Sequence, residues 1–274
     1  MQLFAQQLPQ NPLLLSYIES FFYFRATIPL GSAPVSQMFP DGKSVITINL
    51  ASQYADHGQP TPTVLPQSIL SAMCLNSHFI QPQAEAVDMI GIQFRSEGLY
   101  PFLSVSLHEL ATQIHPLELL FGSSVQELSE RLFANPAPDA RSALLESYLL
   151  KRLNQKRANR LINGLVPFIQ QRKGGITVKQ LTNLTQVSER TLERHFLHCI
   201  GVSPKRFIRV VRFQAVIQRI RQAPFEGQLT ALAYEFGYTD QSHLIKEFQA
   251  FAHITPSQYL KKVSTLSEFY SYEQ

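Results

Sequence analysis

The sequence is poor in cysteine and lacks a long apolar run. Of its 274 residues, only Cys74 and Cys199 are cysteines. Their separation matches neither a metal knuckle nor a redox pair, and two thiols make no disulfide framework. Two reduced thiols in a cytoplasmic protein are the expected state. No apolar stretch approaches the ~20 residues of a bilayer-spanning helix, so no membrane is expected as a partner. Met1 to Gln10 holds no basic segment followed by an apolar one, so no secretory signal is read there. His57, His78, His108 and His115 include no pair one residue apart, as a cupin-type metal site requires. No metal and no cofactor are expected.

The chain does carry a hydrophobic fraction of 45%, that of a globular protein long enough for two domains. Its net charge of +4 hides an asymmetry. Residues 1–155 hold 7 Lys+Arg against 12 Asp+Glu (7 − 12 = −5), and residues 156–274 hold 17 against 8 (17 − 8 = +9). A basic half joined to an acidic half is the footprint of a nucleic-acid module attached to a part that does not bind nucleic acid.

The first hundred residues read as β-rich. Val45 to Leu50, Val87 to Phe94 and Ile18 to Phe24 are β-branched or aromatic runs, and Pro40-Asp41-Gly42 is a turn signal before the first of them. Gln59 to Ser71 reads as loops and short strands. A small antiparallel sheet or barrel follows. After Gly98 the period becomes helical. Ser106 with Glu109, and Ser124 with Glu127, have capping-box spacing. Leu128 and Leu132 mark a core stripe that Asn135-Pro-Ala-Pro138 interrupts. A helix over 139–153 carries Leu144, Leu145, Tyr148, Leu149 and Leu150, a set wide enough to pack on the sheet or on a second subunit. Asn154 to Arg157 is the linker candidate, and a helix over 158–172 contains Pro167.

The last hundred residues contain a repeat. Leu192, Arg194, Phe196, Val202, Ser203, Pro204 and Phe207 recur as Leu244, Lys246, Phe248, Ile254, Thr255, Pro256 and Tyr259, each at an offset of 52 (246 − 194, for example). Each copy reads as helix, turn, helix. In the first, Thr177 and Gln180 form a capping box, and Ser188 caps a second helix. Leu192, Phe196 and Cys199 face inward, while Glu189, Arg190, Glu193 and Arg194 face out. In the second, Leu229 to Phe236 precedes the turn Gly237-Tyr-Thr239, and Asp240 opens a helix with Gln241, Ser242, Ile245 and Lys246 outward. Between them a helix of ~19 residues, opened by Ser203-Pro204, spans about 28 Å at 1.5 Å per residue. That is close to the ~34 Å between successive major grooves on one DNA face. The candidate DNA-contacting residues are therefore Ser188, Arg190, Glu193, Arg194, Asp240, Gln241, Ser242, Ile245 and Lys246. Arg suits guanine O6 and N7, Gln adenine, Ile a thymine methyl, and Glu193 a cytosine N4.

Ser188-Glu-Arg-Thr-Leu192, Arg194, Phe196, Gly201-Val-Ser-Pro204, Gly237-Tyr-Thr-Asp-Gln-Ser-His-Leu244, Phe248 and Thr255-Pro256 carry a resemblance. Over residues 157–262 the chain resembles the DNA-binding domain of the AraC/XylS family of bacterial transcription regulators. The resemblance implies two helix-turn-helix units joined by a long helix, binding an asymmetric site near a promoter, with RNA polymerase a partner there. Three positions depart from the family pattern: Thr182 stands in place of a small Ala, Gln186 in place of a Gly in the first turn, and His253 in place of a Gly. Phe39-Pro-Asp-Gly42, Ile90-Gly-Ile-Gln-Phe94 and Gly98-Leu-Tyr-Pro-Phe102 resemble an N-terminal domain of a subgroup of these regulators.

The expected fold is α+β. A small antiparallel β domain with flanking helices (1–153, sensor and dimerisation) leads through a linker (154–157) to an all-α DNA-binding domain (158–262) and a tail (263–274). A small-molecule effector in a pocket among Phe and Tyr side chains of the sheet, and a homodimer through 106–153, are further expectations; the bland alternative is that those aromatics are core. An enzyme is not expected. The two competing classes are a repair alkyltransferase using a reactive Cys, and an architectural DNA protein. The first needs a base beside the thiol, and Ala-Met-Cys74-Leu-Asn supplies none. The second needs no acidic domain.

Overall fold

In the N-terminal half, runs of Val, Ile and Phe form strands because β-branched and aromatic side chains pack well on a pleated, half-buried surface. The computed structural model describes residues 2–29, 33, 35–58, 60–222 and 229–260. The expected tail, 263–274, lies outside them.

The described strands are β1 Gln2–Gln7, β2 Ile18–Thr27, β3 Ser36–Met38, β4 Val45–Asn49, β5 Tyr54–Asp56, β6 Thr63–Val64, β7 Ser68–Ser71, β8 His78–Pro82, β9 Ala86–Phe94 and β10 Ile114–Pro116. They form two sheets where the sequence suggested one. A six-stranded sheet has the order β1-β2-β9-β4-β7-β10, and a four-stranded sheet the order β3-β8-β5-β6. All the pairings are antiparallel. Gly91 on β9 sits opposite Phe22 on β2, and the ring lies where a Cβ would be, 1.7 Å from Phe22 Cζ. Any side chain at 91 would evict that ring.

Three α-helices follow: α1 Glu118–Phe121, α2 Ser124–Ala134 and α3 Pro138–Leu150. The capping box at Ser106 is present, although the helix it opens is a single 3-10 turn, Leu107–Glu109. The one expected at Ser124 is not. Ser124 is already inside α2, and its hydroxyl donates back to the Phe121 carbonyl. α3 packs on the sheet: Leu145 and Leu149 are fully buried, and Ser142 hydrogen-bonds the Tyr23 hydroxyl at 2.6 Å. Arg141, 3% exposed, reaches Asp88 on β9 at 2.7 Å, and Arg25 reaches the same carboxylate at 2.8 Å. Burial alone would favour a neutral Asp88; the two guanidiniums more than offset it and hold the carboxyl below its usual range.

Asn154 to Arg157, the expected linker, holds a 3-10 turn, Gln155–Arg157, that is exposed except for half-buried Arg157 and is tied down at its two ends. The Asn154 amide donates to the Pro101 carbonyl, and the Arg157 guanidinium lies 4.4 Å from the centre of the Tyr100 ring. Beyond it come α4 Arg160–Gln171, α5 Val178–Thr185, α6 Glu189–Cys199, α7 Pro204–Gln222, α8 Leu229–Glu235 and α9 Gln241–Ala252. Pro167 is tolerated inside α4, and residues 256–260 are helical. One continuous hydrophobic core runs from Leu14 and Phe21 in the sheet to Phe248 and Tyr259 at the end of the described chain. α7 lies across it. Phe207, Val210, Phe213 and Val216 are each at most 1% exposed, so the joining helix is an interior element and not a bare strut.

Candidate nucleic-acid interface

Each repeat builds the same local device. In the first, Thr177 and Gln180 close a reciprocal capping box on α5, and the Ser188 hydroxyl accepts from the Thr191 amide to start α6. Leu181, Leu192 and Phe196 are fully buried and Cys199 nearly so, which fixes the roll of α6. That roll leaves Glu189, Arg190, Glu193 and Arg194 exposed. In the second, the Asp240 carboxylate accepts from the His243 amide and opens α9, with Leu244 and Phe248 buried. Gln241, Ser242 and Lys246 are exposed and Ile245 half-buried.

The turns differ by one residue. Gln186 holds the left-handed conformation (φ +57°) two positions before the Ser188 cap. Its counterpart Gly237 (φ +71°) stands three positions before Asp240. The offset of 52 that relates α6 to α9 thus becomes 51 (237 − 186) across the turns. With that correction Thr182 matches Ala233, which is fully buried, whereas Thr182 is half-buried and bonds the Lys179 carbonyl. The departures at Gln186 and His253 both fall at positive φ (+57° each), where glycine is the unstrained residue.

Of the nine sequence-selected residues, the fold brings Ser188, Arg190, Glu193 and Arg194 to one open face of α6, and Asp240, Gln241, Ser242, Ile245 and Lys246 to the corresponding face of α9. Ser188 and Asp240 also serve as caps, and the Gln241 side chain accepts from the Thr230 hydroxyl at 3.0 Å. Arg190, Glu193, Arg194 and Lys246 have no side-chain hydrogen bond or ion pair among the described residues. Several of the arginines on α7, by contrast, have partners within the protein. Arg209 pairs with Glu247, Arg212 donates to the Gly174 carbonyl, Arg219 faces Glu235, and Arg221 donates to the Tyr259 hydroxyl. Lys205 and Arg206, at the start of α7, remain exposed.

Burial pushes Cys74 up to about 12 and Cys199 up to about 11, so both are neutral at physiological pH. Phe21 and Phe94 are fully buried and Tyr23 nearly so, which makes these aromatics core packing.

Sequence reasoning missed how the β half touches the repeats. The Tyr100 hydroxyl hydrogen-bonds His198 on α6, the Ser77 hydroxyl donates to the Phe251 carbonyl on α9, and Gln37 Nε2 donates to the Ala252 carbonyl. These partners lie 98, 174 and 215 residues apart, and no local pattern announces them.

Residues 181–262 match the family described as "Helix-turn-helix domain", and residues 6–116 match "Domain of unknown function (DUF6597)". A curated relative from Haemophilus influenzae, "Uncharacterized HTH-type transcriptional regulator", is 31% identical over 164 residues, which cover 56% of this chain and 54% of the relative. The chain thus spans about half the length of that relative. Among solved structures, ToxT from Vibrio cholerae (P21 form) aligns with a TM-score of 0.47 at 11% identity, over 88% of this chain and 97% of that one. Wild-type ToxT with bound unsaturated fatty acid aligns with a TM-score of 0.44 at 13% identity, over 89% and 96%.

Proposed function

We propose that this chain, whose C-terminal region carries a helix-turn-helix domain of the AraC type, is a sequence-specific DNA-binding transcription regulator. The observation that carries the reading is the pair of capped helices, α6 and α9, each turning an unpartnered basic side chain and polar neighbours outward. In a helix-turn-helix such a helix enters the major groove with its N-terminal residues on base edges. Arg190, Arg194 and Lys246 are then base or phosphate contacts. Ser188, Glu193, Asp240, Gln241, Ser242 and Ile245 complete the reading surface, and exposed Lys205 and Arg206 meet phosphates.

The test is binding of the full chain to a duplex of about two helical turns selected from a random pool. Affinity should fall steeply with salt, since phosphate contacts release counterions. Arg194→Ala and Lys246→Ala should each cost about 1–3 kcal/mol. Unchanged affinity in both variants would refute the contact assignment.

In this reading residues 1–153 form the controlling domain, open to a small-molecule effector, and residues 158–262 the DNA-binding one. The protein acts in the cytoplasm and meets RNA polymerase at the promoter. Among the described residues, no helix is long and apolar enough to cross a membrane. Within 106–153, Leu119 and Phe133 are 77% and 67% exposed, which supports a second copy of the chain docking there. Sedimentation at micromolar concentration should then give a dimer; a monomer removes that proposal.

A further inference from the structure

α6 and α9 are held from behind. In each, the N-terminal tip is open and the C-terminal end is gripped by the β half. At the end of α9, the last carbonyls of a helix have no partner inside the helix. Here the Phe251 carbonyl accepts from Ser77 Oγ at 2.8 Å and the Ala252 carbonyl from Gln37 Nε2 at 2.6 Å. Gln37 lies on β3 and Ser77 immediately precedes β8, neighbouring strands of the four-stranded sheet. Phe79 on β8 adds a ring contact with His253, 6.5 Å between centroids. At the end of α6, the Tyr100 hydroxyl bonds His198. Gly201 (φ +94°) sits so close to the turn at 107–109 that a Cβ would lie 2.8 Å from the Leu107 carbonyl oxygen. α7 is fastened to the same half: its Gln214 donates to the Pro40 carbonyl, and Phe213 meets Phe39.

We infer that the β half sets the distance between the two DNA-reading helices, so that Gln37, Ser77 and Tyr100 are positioning residues for half-site spacing. The inference rests on the proposed DNA-binding function. Every gripping residue lies within 6–116, the segment that matches a domain of unknown function, and the inference gives that segment a task. The geometry makes the grip consequential. α9 has 12 residues, about 18 Å of helix at 1.5 Å each. A swing of about 10° about its anchored end would carry the open tip about 3 Å. One base-pair step is ~3.4 Å, so small play at the anchor is as large as a change of spacing. α7 packs on α9 through Phe213, whose ring lies 5.1 Å from those of Phe248 and Phe251, and through the Arg209–Glu247 pair. The bonds from Ser77 and Gln37 add a second hold, at the carbonyl end of α9, that α7 does not provide.

The experiment uses the full chain and the duplex selected by the wild-type protein. Variant duplexes carry one or two base pairs inserted or removed between the half-sites. The wild type should lose at least tenfold in affinity for each base pair of misfit. Ser77→Ala combined with Gln37→Ala should bind the selected duplex within about threefold of wild type and lose threefold or less on the misfit duplexes. Tyr100→Phe, which keeps the ring and deletes the hydroxyl, should flatten the profile in the same sense through α6. Spacing profiles that superimpose on wild type in both variants would overturn the inference while leaving DNA reading intact. Failure of the wild type to select any duplex would instead overturn the function on which it rests. Hydrogen-exchange protection of α6 and α9 in each variant separates lost folding from lost alignment.

Discussion

Phe39 is the side chain that should reveal whether the two halves unfold together. It precedes the Pro40-Asp41-Gly42 turn in the β half, yet its ring lies 5.4 Å from Tyr259, edge to face, and 6.3 Å from Phe213 on α7. Truncating a fully buried Phe to Ala costs about 3–5 kcal/mol. Phe39 is half-buried, which brings the transfer part down by about half, and loss of its ring pairs adds about 0.5–1.5 kcal/mol. Phe39→Ala should therefore destabilise by about 2–4 kcal/mol, or a drop in Tm of about 4–16 °C at 2–4 °C per kcal/mol. The sharper assay is peptide-resolved hydrogen exchange in mild denaturant. With one continuous core, the slowest amides of β4 and β9 and those of α6 and α9 should lose protection equally, by roughly thirtyfold or more. If the strands keep wild-type protection while the helices lose theirs, or if melting splits into two transitions, the shared-core reasoning is wrong.

The same turn carries a pH prediction. Burial raises the Asp41 carboxyl above its usual range, and Lys43 only partly restores it. A carboxyl raised on folding favours the folded state below its unfolded value, and that support drains away as pH climbs through the folded value. Asp41→Asn keeps an acceptor for the Lys43 amide and should raise the urea midpoint near pH 7, with the gain narrowing towards pH 4; a gain that widens in acid would contradict the sign. In the first turn, Gln186→Gly should stabilise by up to about 1 kcal/mol, because relief of a left-handed residue exceeds the entropy that glycine adds to the unfolded chain. A lowered Tm would show that the Gln186 side-chain bond to the Asn183 carbonyl outweighs the strain.

What the sequence disclosed was local. The caps at Thr177, Ser188 and Asp240, the buried stripe Leu192-Phe196-Cys199 and the 19-residue α7 all depend on neighbours within a turn or two, and all appear where the pattern places them. The Ser124 box shows the limit of such patterns: the spacing was right, but the preceding backbone had already turned, so the hydroxyl found the Phe121 carbonyl first. The extra residue in the second turn escaped notice because the matched landmarks all lie beyond it, where the offset is constant. The second sheet was hidden by the shortness of β3, β5 and β6, which are three residues or fewer and too brief for alternation to register. The outward residues of α6 and α9 were legible from periodicity; the residues that anchor those helices were not, because they belong to another part of the chain.

The burial of α7 bears on how such a chain can change over evolution. A helix whose sides are claimed by both halves cannot be traded as a cassette: a grafted reading module would arrive with the wrong surface for Phe39 and Gly42, whose neighbours are Phe213, Val210 and Phe207. If α6 and α9 read DNA as proposed, descendants that acquire new target sequences are therefore expected to alter the outward tips of these helices one residue at a time, with the inner seam inherited intact.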